Sequence, residues 1–146
     1  MATDGRQDID ALTADVFTAI DGSPPPPLHK LLDLKAVARD EDSLTISMEL
    51  SETVQGFGEG SIHGGILATF ADVASAVALT FDRESEIPVT TDLHVRYYRQ
   101  PRSGPLTAEA TVVHRGRRLL GTECVVRDAE QRVLARTTAT YMLVPQ

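Results

Sequence analysis

The chain has 146 residues, 42% of them hydrophobic and 24% charged, with a formal net charge of −7. That length makes one domain able to bury a core, and the acidic balance argues against general nucleic-acid binding. No apolar run approaches the roughly 18 uncharged residues of a membrane span, and the opening MATDGRQDID is too acidic and polar for a secretion signal.

Residues 8–20 carry Ile9, Leu12, Val16 and Ile20 at helical spacing, widened by Phe17. Asp21-Gly22-Ser23 and the prolines Pro24 to Pro27 end this helix and form a stiff connector, so it is predicted as an add-on layer, residues 1–27, ahead of a main domain over 28–146. Leu28 to Leu34 reads as a short helical turn leading into a strand. SLTISMEL, 43–50, alternates apolar and polar and predicts a half-buried strand. Residues 51–61 hold three glycines and read as a loop. A long helix is predicted over 62–80, with Ser61 as its N-cap. It is apolar on nearly every side, so a sheet should wrap around it. Four strands follow, at 89–98, 105–114, 118–128 and 132–144, with Val89, Thr91, Leu93, Val95 and Tyr97 on one face of the first. Short connections predict an antiparallel meander. The fold class is therefore α+β: an antiparallel sheet of five or six strands curled around one long helix, with an extra N-terminal helix.

Asp72 is the only charged residue between His63 and Phe81. A carboxylate on such a helix is costly to bury unless it is paired, neutralised or working. Nine residues upstream, His63-Gly64-Gly65 places free backbone N–H groups at the start of the same helix. An isolated acid with a glycine-rich helix N-terminus suits chemistry on a carbonyl. The basic residues gather in two groups, Arg96, Arg99 and Arg102, then Arg115, Arg117 and Arg118, either of which suits a phosphorylated small molecule. The single cysteine, Cys124, excludes an intrachain disulfide, argues against a Cys-based metal site and reads as a small buried strand residue in a cytoplasmic protein. His29, His94 and His114 lack metal-ligand spacing, so no metal is expected. A serine-hydrolase elbow, a phosphate loop and a dinucleotide fingerprint are all missing from the sequence.

The segment GSIHGGILATFAD, 60–72, resembles the central-helix signature of hotdog-fold acyl-CoA thioesterases of the phenylacetic-acid-pathway (PaaI-like) type. TTDLHVRYYRQP and GPLTAEATVVHRGRRLLGTECVVRDAEQRVLARTTATYML resemble the same family's later strands, so the likeness covers residues 43–144. It implies a curved sheet around one helix, and protomers that pair sheets edge to edge as a homodimer or homotetramer with active sites at the dimer interface. It also implies hydrolysis of an acyl-CoA thioester without a cofactor. Gly64 and Asp72 are eight residues apart, or about 12 Å along a helix; one thioester does not easily touch both, and a partner helix start beside Asp72 would close the gap.

By the resemblance, Asp72 matches the catalytic carboxylate, as general base or as nucleophile. Gly64 matches the residue whose N–H polarises the thioester carbonyl, and His63 and Gly65 complete that turn. Thr90 matches a hydroxyl that positions water, with Thr91 as the off-by-one alternative. Arg115, Arg117 and Arg118 suit the phosphates of coenzyme A. Six residues before His63 the family carries Asn or Gln; Phe57 stands there instead and suits an apolar acyl pocket, with Gln55 nearby. That departure keeps an alternative open, a non-catalytic acyl-CoA-binding hotdog protein acting as sensor or carrier. A hydratase on the same fold would want an Asp–His pair on the helix, and no His follows Asp72 there.

Overall fold

The computed structural model describes residues 5–17, 24–80 and 86–145; Ile20 and Phe81 lie outside them. Helix α1 (Gly5–Phe17) lies against strand β1 (Lys35–Arg39). Its spaced apolar positions do what their period predicts: Val16 and Phe17 are buried in the main core and Leu12 packs on its margin. Thr13 fastens the helix to the sheet edge, because its Oγ1 accepts from the Ala36 N–H at 3.0 Å, and Asp15 pairs with Arg39 at 2.8 Å. The prolines do more than end α1. Pro26 caps and Pro27 starts a short helix, α2 (Pro27–Leu31), where a missing N–H costs nothing and a fixed φ is already helical.

Strands β2 (Ser43–Met48), β3 (Glu86–Tyr97), β4 (Leu106–Arg115), β5 (Leu119–Arg127) and β6 (Val133–Pro145) join β1 in one six-stranded antiparallel sheet, ordered β1-β2-β4-β5-β6-β3. Helix α3 (Gly64–Ala78) packs against β2 through β6, so the sheet curves around it. Period-2 patterning sets the inner face: Leu44, Ile46 and Met48 of β2, Leu106, Ala108 and Ala110 of β4, and Leu120, Cys124 and Val126 of β5 are all buried. Small residues let the helix lie close to the sheet, since Ala71, Ala74 and Ala78 have no exposed surface. Phe70 and Leu67 fill the space between them, each contributing about 1.5–3 kcal/mol by burial. Burial also pushes the Cys124 thiol up to about 12, with Glu109 adding to the effect and Arg127 opposing it, so it is an inert packing group.

Three expectations change. The last four strands are not one meander: β4-β5-β6 is, but β3 pairs with β6 at the far edge. The link from Tyr98 to Pro105 is no tight turn; its residues reach up to about 27 Å, well beyond the roughly 14 Å across the two intervening strands. The N-cap of α3 is His63 rather than Ser61. Ser61 instead closes the preceding loop, its Oγ accepting from the Gly58 N–H at 3.1 Å and donating to the Gly58 carbonyl. Finally, α3 is not buried all round. Ile66, Thr69, Asp72 and Ala76 form a half-buried strip at helical spacing, with Asp72 in its middle.

Candidate active site

Asp72 reaches from that strip toward β3 and β6. Its Oδ1 accepts from Thr90 Oγ1 at 3.0 Å and from the Tyr141 phenol at 2.7 Å. Thr90 and Tyr141 face each other across the β3–β6 ladder, so sheet register brings both donors to one oxygen. A β-bulge between Thr90 and Asp92 makes this possible. Downstream of it Leu93 and Val95 pack on the core, and strict alternation would have turned Thr91 inward with them. The extra residue resets the phase: Thr90 meets the helix, and Thr91 donates to the Thr140 carbonyl at 3.0 Å. Among the described residues no cation pairs with Asp72.

Tyr141 has no exposed surface. Burial, then the hydrogen bond to Asp72 and its negative charge, push the phenol well above its ordinary value, so it stays a proton donor. The Ser75 and Thr122 hydroxyls lie close enough to oppose that rise slightly, yet neither makes a well-formed hydrogen bond.

The helix start forms a separate place. His63 Nδ1 accepts from the Gly65 N–H at 3.0 Å, and the Tyr97 phenol donates to the Gly64 carbonyl at 2.7 Å. The Gly64 N–H is exposed and meets no acceptor among the described residues. Gln100 braces the loop ahead of it, its Oε1 accepting from the Ile62 N–H at 3.0 Å. These residues border an open cleft of about 710 Å³, walled by Phe57, Ile62, Leu67, Tyr97, Tyr98 and Arg99. Phe57 is fully exposed at its rim, and Gln55 does not line it.

Of the residues singled out from sequence, Asp72 and Thr90 therefore meet, and His63, Gly64, Gly65 and Phe57 meet, but the two groups do not join within one chain. Arg115, Arg117 and Arg118 lie at the β4–β5 turn, outside the cleft. Arg115 pairs with Asp42 at 3.2 Å and donates to the Glu41 carbonyl; Arg117 and Arg118 are exposed. That turn lies beyond the Leu119–Met142–Val89 row, the rung next to Leu120–Tyr141–Thr90, at the carboxylate end. Sequence reasoning missed Tyr141, Tyr97 and Gln100. A tyrosine inside a strand pattern is a weak signal: its ring counts as core, and only the structure shows which polar group its hydroxyl must find.

A family model described as Thioesterase superfamily matches residues 59–135. The chain is 24% identical over 132 residues to the medium/long-chain acyl-CoA thioesterase YigI of Escherichia coli K12, covering 80% of this chain and 85% of YigI. Its fold is similar to that of the E. coli PaaI protein from the phenylacetic acid degradation operon, with a TM-score of 0.73 at 23% identity, covering 82% of this chain and 85% of that one. A mutant of the thioesterase enzyme SAV0944 from Staphylococcus aureus gives a TM-score of 0.77 at 18% identity, covering 82% of this chain and all of that one. The sheet wrapped around α3 accords with these likenesses, and the chain belongs to the Thioesterase superfamily of hotdog-fold thioester hydrolases.

Proposed function

We propose that this chain hydrolyses acyl-CoA thioesters to free acid and coenzyme A, with Asp72 as the reacting carboxylate. The observation that carries the reading is the Asp72 side chain: half-buried on an apolar helix, joined to no cation among the described residues, and held at Oδ1 by Thr90 and Tyr141. An acid left without a counter-ion in such a place is poised for chemistry. As a general base it takes a proton from water while the water oxygen attacks the carbonyl carbon; the C–S bond then breaks and the thiolate takes up a proton. As a nucleophile it attacks the carbonyl itself, expels the thiolate and leaves a mixed anhydride for water to open. In both, the Gly64 N–H at the positive end of α3 is the donor that stabilises the oxyanion, and Thr90 positions the water.

The distance between Gly64 and Asp72 makes the site a shared one in this reading, with each carboxylate working beside the partner's helix start. The β3 edge supports such pairing. It is a strand of 12 residues with one side unpaired in a single chain, and Ile87, Val89 and Tyr97 are exposed on it. A long apolar edge is a template for another strand, so we assign a homodimer through β3, able to associate further. The cleft behind Phe57 takes the acyl group, His63 and Gly65 shape the approach to the Gly64 N–H, and Arg117 and Arg118 receive the coenzyme A phosphates, with Arg115 bracing their turn. Residues 28–146 form the thioesterase unit, on which α1 is an addition, and the cytoplasm is the assigned compartment, where acyl-CoA is found.

Thiol release from short, medium, long and aromatic acyl-CoA esters tests the reading. Turnover on at least one ester is expected. No turnover on any, with tight acyl-CoA binding, would replace it with the sensor or carrier reading, in which Phe57 marks the lost amide.

A further inference from the structure

The two hydrogen bonds at Asp72 fall on the same oxygen, and that asymmetry has a consequence for the chemistry. Oδ1 accepts from both Thr90 and Tyr141, while Oδ2 accepts from no described residue. We propose that Tyr141 is a positioning residue: it pins Oδ1, fixes the plane of the carboxylate, and leaves Oδ2 as the oxygen that meets water or the thioester carbonyl. The proposal rests on Asp72 being the reacting group.

The phenol cannot turn elsewhere. Tyr141 is wholly buried, and a buried hydroxyl without a partner is costly. Its proton has two acceptors within reach, Asp72 Oδ1 at 2.7 Å and the Asp72 backbone carbonyl at 3.2 Å. The shorter, charge-assisted bond is the stronger, and the carbonyl keeps the hydroxyl aimed at Asp72 in any case. Thr90 stands opposite Tyr141 in the ladder, so the two donors move as one unit, set by strand register rather than by a flexible loop. A carboxylate otherwise free to rotate is thus held in a single orientation before substrate arrives, which is where positioning gains rate.

Among the described residues no charged group competes with these two donors for Oδ1. Ser75 on α3 and Thr122 on β5 are hydroxyls beside the Tyr141 phenol. The buried positions of β2 and β4, on the far flank of α3, are all apolar. On β3, Asp92, His94 and Arg96 alternate with core-packed Leu93 and Val95 and are exposed.

The test is Tyr141→Phe, which keeps the ring and removes only the hydroxyl. The Asp72 carboxyl carbon is followed by NMR in the wild type and the variant, assigned with Asp72→Asn, alongside kcat and KM. Loss of the hydroxyl is expected to shift the Asp72 carboxyl resonance at neutral pH, because a charge-assisted bond to that oxygen is gone. Turnover should fall about tenfold with KM held within about twofold. Thr90→Val, at an exposed site, should move the same resonance. A structural role alone would lower Tm and leave the Asp72 resonance in place, and that result overturns the proposal. The NMR readout needs no substrate, so it decides the role of Tyr141 at Asp72 even if every thioester proves inert, an outcome that would instead count against Asp72 as a thioesterase carboxylate.

Discussion

At the residue scale, the proposed chemistry rests on Asp72 and Gly64, and a substitution at each is expected to leave the fold in place. Asp72→Asn keeps the side-chain shape and an acceptor for Tyr141 and Thr90, so the protein should fold while turnover falls by at least about 100-fold. Unchanged thiol release would take Asp72 out of the mechanism. Gly64 offers a sharper probe. It is the first residue of α3, its N–H has no acceptor among the described residues, and His63 before it already has ψ 127°. Proline is at home in such a position. A Cβ there would meet the Tyr97 ring at an ordinary 3.5 Å. Gly64→Pro should therefore preserve Tm within a few degrees and lower turnover by about 100- to 1,000-fold, the loss seen when an oxyanion donor is deleted; full turnover in a folded variant would exclude that N–H as a donor. Asp72 and the His-Gly-Gly turn were legible because a lone charge in an apolar run and paired glycines are rare in a sequence. Tyr141 was not, since a tyrosine on a strand looks like any aromatic core residue until its hydroxyl is followed to Oδ1.

At the element scale, the strands could be read because their period-2 patterns are regular, but their order could not, because long-range pairing leaves no local mark. The β-bulge at Thr90/Asp92 is a single extra residue, and it inverted the expected facing of Thr90 and Thr91. The crossover from β3 to β4 has its own anchor, also unread: Asp128, in the β5–β6 turn and fully buried. Its carboxylate accepts from the Arg102 N–H at 3.2 Å and from the Glu130 and Arg132 N–H groups at 3.0 Å. Burial raises its pKa, yet these backbone donors and the Arg132 charge outweigh burial and hold it below the ordinary 3.8. A carboxyl depressed in the folded state contributes stability above its unfolded pKa and loses it as pH falls through the folded value. Asp128→Asn should thus lower Tm by about 5 °C at neutral pH and flatten the decline of Tm below about pH 4. Equal Tm values at pH 7 would show that the crossover is held by other contacts.

At the scale of the whole molecule, one chain keeps the carboxylate and the helix start on separate parts of its surface, and the unpaired β3 edge lies beside the carboxylate end. The proposed assembly was expected from the sequence only through resemblance, since no single-chain pattern encodes which edge meets which. The most direct measurement is complementation between two inactive variants, Asp72→Asn and Gly64→Pro, unfolded together, refolded as a mixture and assayed for thiol release. If each site combines Asp72 of one protomer with Gly64 of its partner, a mixed dimer holds one doubly defective site and one intact site. Random mixing should then restore roughly a quarter of wild-type turnover. Activity no higher than that of either variant alone, in a mixture shown to contain the heterodimer, would contradict the shared site.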